Sequence, residues 1–148
     1  MNVLFADSSA LVKLYVDERG STAIRRREGR GPFVVSALAR VEVPAALWRK
    51  TRTGELDPSD ARLLSTAFEV DWYGTPDAEP RFPVVAASAA LMGDAAQLCE
   101  VHDLRAFDAV QLASALALTS GEPVEIACFD RRLLAAARAE GLRAAPAS

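Results

Sequence analysis

The chain has 148 residues, of which 51% are hydrophobic and 25% are charged, a composition typical of one globular domain with a substantial core. It contains only 8 glycines and 8 prolines, and no apolar run approaches the roughly 18 residues of a membrane helix, which excludes disorder, collagen and membrane spanning. We therefore expect residues 1–148 to form a single soluble domain. The N-terminus has no basic segment typical of a secretory signal, which favours the cytoplasm.

Short apolar runs alternate with amphipathic segments along the whole chain. The pattern predicts strands at 3–6, 33–35, 82–86, 124–129 and 142–144, and helices at about 10–16, 21–28, 36–53, 58–73, 88–101, 105–119 and 131–140. Parallel strands need crossover connections, and right-handed crossovers place helices on the faces of the sheet. The sequence therefore predicts an α/β fold, a three-layer α/β/α sandwich with a mostly parallel central sheet.

Cysteine and histidine are too few for several common kinds of site. Cys99 and Cys128 are far apart and His102 is the only histidine, so one chain cannot supply a four-ligand zinc site. A single imidazole also excludes RNA cleavage by a histidine acid and a histidine base. A receiver domain and a DxD-type phosphatase are excluded as well, because Asp7 has no second acid beside it and position 9 is Ser9.

Four acidic residues lie at predicted strand ends or in predicted helices near the edge where α/β sheets bind ligands. Ligands bind such sheets at the carboxyl ends of the strands, and Asp7 and Asp130 directly follow predicted strands. Each of these two, taken alone, is more simply the N-cap of the next helix. Glu42 lies within the apolar part of a predicted helix, where an acid needs a partner. Asp108 raises the same question, although it could instead interact with the dipole of its own helix.

Together, the four carboxylates would repel one another and would need a cation. Oxygen-only ligands select Mg²⁺ or Mn²⁺, and such an ion can activate water for attack on a phosphodiester. The net charge of −3 argues against nucleic acid at first sight, but without the four clustered acids it becomes +1. Arginine supplies 15 of the 17 basic residues, and its planar fork suits phosphate. The residues therefore favour metal-assisted phosphoryl transfer.

Four segments carry these acids: DSSALVKLYVDERGS at 7–21, SALARVEVPAAL at 36–47, LRAFDAVQLASAL at 104–116 and CFDRRLLAAARAEGL at 128–142. In order and spacing they resemble the PIN-domain ribonucleases, and specifically the VapC-type toxins of type II toxin–antitoxin pairs. The resemblance implies a metal-dependent endoribonuclease. Asp7, Glu42, Asp108 and Asp130 match the acidic cluster that binds Mg²⁺ or Mn²⁺ and activates water. The family usually has Thr or Ser two residues before its fourth acid, where this chain has Cys128.

The resemblance also implies partners. We expect a homodimer, an RNA substrate and a cognate VapB-type antitoxin, with which such toxins can form larger assemblies. Arg131 and Arg132, next to Asp130, are candidate phosphate contacts. Two other functions stay open at this point: a catalytically silent PIN module that binds a protein partner, and a PIN nuclease of RNA maturation that has no antitoxin.

Overall fold

The computed structural model describes residues 2–145, which contain a five-stranded sheet. The strands are β1 (Val3–Ala6), β2 (Val34–Ser36), β3 (Val84–Val85), β4 (Val124–Ala127) and β5 (Arg143–Ala144). Their order across the sheet is β3-β2-β1-β4-β5, and each neighbouring pair is parallel. The prediction of a mostly parallel sheet is confirmed, and all the described strands run in one direction.

Seven α-helices connect the strands in the described part of the chain. They are α1 (Ser8–Leu11), α2 (Ser21–Glu28), α3 (Ala39–Arg52), α4 (Pro58–Tyr73), α5 (Ala89–Val101), α6 (Ala106–Leu116) and α7 (Arg131–Ala139). A 3₁₀ turn, Val12–Leu14, continues α1. Within residues 2–145, no helix combines the length and the apolarity needed to cross a membrane.

The sequence predicts that a helix begins at Ser36, but in the structure Ser36 ends β2. It is in register with Val85 of β3, and the backbone N–H of Ala37 donates to the Val85 carbonyl at 2.9 Å. These contacts keep the chain extended until the Ser36 hydroxyl accepts from the N–H of Leu38 at 3.2 Å. Helix α3 therefore begins at Ala39, because pairing with the neighbouring strand prevails over the local preference of serine for a helix cap.

Alternate residues of β1 point into two separate hydrophobic cores. Phe5 packs with Ile126 of β4 and with α5, α6 and α7 in one core. Leu4 and Ala6 pack on the other face with Val35 of β2 and with α1 to α4. Since successive side chains of a strand point to opposite faces, this arrangement places helices on both sides of the sheet. The predicted three-layer α/β/α sandwich is confirmed.

The carboxyl ends of β1 and β4 lie side by side. Ala6 is in register with Ala127, and the N–H of Asp7 donates to the Ala127 carbonyl at 3.1 Å. Strand β4 ends at Ala127, two residues earlier than predicted, so Asp130 follows a short extended segment. The chain builds β1, β2 and β3 in one direction and then crosses to β4 on the other side of β1. Such a switch point is where α/β sheets bind ligands.

Gly74 ends α4 in a backbone conformation that other residues rarely adopt. Its φ is +72°, and a Cβ there would lie 2.5 Å from the carbonyl oxygen of Ala78. We expect Gly74→Ala to lower the free energy of unfolding by about 2 kcal/mol or more, because the positive φ and the backbone clash both oppose the new methyl group.

The matched control is Gly93→Ala within α5, where a Cβ meets nothing within 4 Å. There the substitution should raise the free energy of unfolding by about 0.5–1 kcal/mol, since alanine favours helix more than glycine does. Urea unfolding followed by circular dichroism measures both variants. Equal stability of Gly74→Ala and the wild type would contradict the expectation.

Candidate active site

A cavity of about 610 Å³ lies at the switch point beside β1 and β4. All four acids singled out in the sequence line it: Asp7, Glu42, Asp108 and Asp130. The other lining residues are Ser8, Ser9, Val12, Val41, Ala45, Ala46, Arg49, Arg105, Ala106, Phe107 and Gln111. We call this space the carboxylate cavity. Its acids come from the end of β1, from α3, from α6 and from the residue before α7.

Asp7 is the most buried of the four acids, with 4% of its surface exposed. Its Oδ1 accepts hydrogen bonds from the N–H of Ala10 at 3.0 Å and from the hydroxyl of Ser9 at 2.7 Å, so it caps α1 as the sequence suggested. Burial raises the pKa of Asp7 to about 6, because the charged form loses hydration; the charge of Glu42 adds to the rise, and the hydrogen bonds oppose it. The Asp7 side chain therefore both caps α1 and lines the carboxylate cavity.

Glu42, Ser8 and Gln111 form a closed triangle of hydrogen bonds between three helices. The Oε1 atom of Glu42 accepts from the Ser8 hydroxyl at 3.0 Å and from Nε2 of Gln111 at 2.7 Å. The same Nε2 also donates to the Ser8 hydroxyl at 3.0 Å. Gln111 is only 2% exposed, and its Oε1 has no hydrogen-bond partner within residues 2–145. These are the partners that an acid inside an apolar helix requires.

Asp108 lies in the first turn of α6 and is partly buried. Burial raises its pKa, the negative charges of Asp130 and Glu42 raise it further, and Arg105 and Arg132 lower it. Asp130 caps α7, since its Oδ1 accepts from the N–H of Leu133 at 2.9 Å. The acids of the carboxylate cavity therefore repel one another, which is the condition that a bound cation relieves.

Cys128 occupies the position where the resemblance implies Thr or Ser. Its Sγ accepts from the backbone N–H of Asp130 at 3.3 Å and lies 3.4 Å from the Asp130 carbonyl oxygen, to which the thiol donates. Burial raises the pKa of this thiol well above its ordinary value, and the charge of Asp7 adds to the effect. A neutral thiol thus holds the backbone that carries Asp130.

The two predicted phosphate contacts lie beside the cavity and not in its lining. Arg131 and Arg132 are exposed in the first turn of α7 and do not line the carboxylate cavity; Nη1 of Arg132 is 3.8 Å from Oδ2 of Asp103. Two arginines that the sequence reasoning missed, Arg49 and Arg105, do line it. Arg49 follows Glu42 by seven positions, two turns of α3, so helical spacing carried a signal for it.

The donor chemistry of the cavity fits a hard divalent cation. All four acids offer carboxylate oxygens, which Mg²⁺ and Mn²⁺ prefer. Within residues 2–145, no three Asp, Glu, His or Cys side chains form a group with the spacing of a metal site. Mg²⁺ usually binds through one or two carboxylates and keeps several waters, so some of the four acids would hold the ion through those waters.

The fold and the cavity define an α/β protein with an acidic cavity at the switch point of a parallel sheet. The family model of the PIN domain matches residues 4–139, and the chain belongs to the PIN domain family. It is 38% identical to Ribonuclease VapC45 of Mycobacterium tuberculosis (strain CDC 1551 / Oshkosh), across 99% of this chain and 97% of that protein. Ribonuclease VapC49 of strain ATCC 25618 / H37Rv matches with the same identity and coverage.

Solved structures with little sequence identity share the fold. The crystal structure of FitAcB from Neisseria gonorrhoeae superposes with a TM-score of 0.67 at 13% identity, across 98% of each chain. A toxin–antitoxin complex from Klebsiella pneumoniae gives a TM-score of 0.59 at 15% identity, across 99% of this chain and 98% of that one. The arrangement of strands and helices is therefore shared by proteins whose sequences differ widely.

Proposed function

We propose that the protein is a metal-dependent endoribonuclease and the toxin of a type II toxin–antitoxin pair, which hydrolyses phosphodiester bonds in RNA. The observation that carries this proposal is that four carboxylates from separate parts of a PIN-domain chain line one cavity. Two relatives that match almost the full chain at 38% identity are named ribonucleases, which supports it.

In this function Asp7, Glu42, Asp108 and Asp130 would hold Mg²⁺ or Mn²⁺, which when bound supplies an activated water and neutralises the charge of the phosphate. The chain's own groups prepare the site. The amide of Gln111 and the hydroxyl of Ser8 fix one oxygen of Glu42, and within residues 2–145 its other oxygen has no hydrogen-bond donor. The burial of Asp7 keeps its carboxylate poorly hydrated, so that it gains strongly from a cation.

The partners belong to the same proposal. One solved structure with this fold is a toxin–antitoxin complex, which supports a protein antitoxin of the VapB type as the partner that blocks the cavity. We also propose a homodimer that works in the cytoplasm and assembles further with its antitoxin. Arg131 and Arg132 are weaker candidates for RNA contacts than Arg49 and Arg105, because only the latter two line the cavity.

The test is cleavage of total RNA by purified protein freed of any bound partner, with Mg²⁺ or Mn²⁺ and with EDTA. Asp108→Asn removes one carboxylate of the cavity, and Asp94→Asn is the matched control, since Asp94 is exposed on α5 away from it. We expect discrete fragments that require the metal, persist in Asp94→Asn and disappear in Asp108→Asn.

Failure to cleave RNA with either ion, by a protein whose circular dichroism shows it folded, would overturn the nuclease assignment and favour the silent partner-binding module. If cleavage occurs, the neighbouring reading frame distinguishes the two nuclease functions. A short adjacent gene for a DNA-binding protein supports the toxin, and its absence favours an RNA-maturation nuclease.

A further inference from the structure

Phe107 differs from the other phenylalanines of this protein. Phe5, Phe33, Phe68 and Phe82 are at most 2% exposed, and Phe129 lies under the ammonium of Lys13 at 4.4 Å from its ring centre. Phe107 is 58% exposed, in the first turn of α6 directly before Asp108, and lines the carboxylate cavity. The buried part of α6 begins only at Ala109. The hydrophobic core therefore does not account for this aromatic ring.

A second exposed apolar residue lines the same cavity from another helix. Val41, one position before Glu42 on α3, is 67% exposed. Single apolar residues on a surface are ordinary, but here two of them, from α3 and α6, each precede an acid of the cavity in the chain. The cavity thus combines apolar surface with carboxylates at one place.

Two arginines complete the lining of the cavity. Arg49 on α3 and Arg105 at the beginning of α6 are both exposed, and neither makes a side-chain hydrogen bond or an ion pair within the described residues 2–145. The charge of Arg105 lowers the pKa of Asp108, but within residues 2–145 neither guanidinium makes a direct contact with a carboxylate of the cavity. A guanidinium offers a planar fork that matches the geometry of phosphate. The unpaired arginines are therefore free to bind an anion brought by a ligand.

The charges of the cavity favour one kind of ligand. A peptide could pair with both arginines through its own carboxylates. Those carboxylates would then lie against the four acids of the cavity, and the like charges would repel one another. A nucleic-acid strand brings phosphates, which would be compatible with those acids when a divalent cation is bound, and it brings bases with flat faces. Stacking of unpaired bases on aromatic side chains is a main source of affinity for single strands.

On the basis of the nuclease function above, we propose that Phe107 is a stacking platform for an unpaired base beside the cleaved bond, and that Arg105 and Arg49 bind the phosphates that flank it. The ligand of this subsite is single-stranded RNA. The adjacency of Phe107 to Asp108 places the stacked base next to the carboxylates, so the ring selects which bond enters the cavity.

The test measures binding and cleavage separately. Binding of a fluorescein-labelled twelve-nucleotide RNA of mixed sequence is followed by stopped-flow anisotropy with Mn²⁺, before cleavage proceeds, and the cleavage sites in total RNA are mapped with the same ion. We expect Phe107→Leu to weaken binding by about 5- to 100-fold and to change the preferred cleavage sites, since leucine is apolar but cannot stack. Phe107→Tyr should stay within about twofold of the wild type, and so should Val101→Ala, which changes an exposed valine of α5 outside the cavity.

Salt dependence provides a readout that a change in folding would not produce. Loss of one phosphate contact from a single strand reduces the slope of log affinity against log salt concentration by about 0.7. Arg105→Gln and Arg49→Gln should each show this decrease.

A Phe107→Leu protein that binds and cleaves RNA like the wild type would overturn the subsite and leave the nuclease intact. A Phe107→Leu protein that lost antitoxin binding while its RNA binding stayed unchanged would also overturn the subsite. A wild-type protein that neither binds nor cleaves RNA would overturn the proposed function itself.

Discussion

Replacing Asp7 with asparagine is expected to abolish RNA cleavage and to stabilise the metal-free protein. Substitutions behind a metal site typically cost about 10- to 100-fold in metal affinity or activity, so loss of a carboxylate that lines the cavity should cost at least about 100-fold. Asparagine is as good an N-cap as aspartate. It can still accept the hydrogen bonds from Ala10 and Ser9. The change therefore removes the charge and keeps the cap.

The stability gain depends on pH with a definite sign. The pKa of Asp7 is raised to about 6 in the folded protein, from an ordinary 3.8. Between these two pH values the folded state binds more protons than the unfolded state, so wild-type stability falls as pH rises from about 4 to about 6. The full shift corresponds to about 3 kcal/mol. We expect metal-free Asp7→Asn to exceed the wild type by up to this amount at pH 7, and the difference to vanish near pH 4.

Thermal unfolding in EDTA at pH 4, 5, 6 and 7 measures this difference, with Asp94→Asn as the control for loss of an exposed acid. Addition of Mn²⁺ should raise the melting temperature of the wild type and have little effect on Asp7→Asn. A wild type that becomes more stable from pH 4 to pH 6 relative to the variant would contradict the sign. Retained cleavage by the folded variant would contradict the role of Asp7.

Gln111→Leu is expected to impair catalysis with almost no change in stability. The substitution removes the donor to Oε1 of Glu42 at 2.7 Å and to the Ser8 hydroxyl at 3.0 Å, and a hydrogen bond to a charged group is worth about 1.5–3 kcal/mol. It also removes the buried Oε1 of Gln111, which has no partner within residues 2–145. A buried polar atom without a partner lowers the free energy of unfolding by about 1–3 kcal/mol, so its removal is stabilising. The two effects on stability oppose each other.

We therefore expect the melting temperature to change little, while Mn²⁺ affinity and the cleavage rate fall by about 10- to 100-fold because Glu42 is no longer held in one orientation. Calorimetric titration with Mn²⁺ and single-turnover cleavage measure the two losses. Gln97→Leu is the matched control, since Gln97 is exposed on α5. If Gln111→Leu bound Mn²⁺ as tightly as the wild type, Gln111 would only fill space in the core.

The sequence predicted the architecture well because its signals are local. Alternation of apolar runs and amphipathic segments identified each strand and helix of the described chain, and the main error, at Ser36, came from pairing with Val85 that local propensity does not encode. The single domain over residues 1–148 stays a prediction, since residues 1 and 146–148 lie outside the described part.

The candidate site was predictable only in its acids. Asp7 and Asp130 were selected because they follow predicted strands, and Glu42 and Asp108 because they lie among apolar residues of predicted helices. All four line one cavity, and their roles stay predictions. Gln111 was not selected, because a glutamine in a helix is unremarkable until the structure shows it buried against Glu42.

Proximity in sequence to an acid did not predict which arginines line the cavity. Arg131 and Arg132 adjoin Asp130 but lie outside the cavity, because successive residues of a helix point about 100° apart. Arg49 and Arg105 are separated by 56 positions in the sequence and line the same cavity. Only the assembled fold brings such residues together.

The strand order has a consequence for the time at which the site can form. β1 is synthesised first and lies at the centre of the sheet, but its neighbour β4 begins only at Val124, and the last acid is Asp130. A nascent chain folds as it leaves the ribosome, and until β4 emerges one edge of β1 has no partner strand. A chain released before Asp130 therefore lacks a complete carboxylate cavity. The proposed nuclease activity is in this way tied to translation of the chain beyond Asp130.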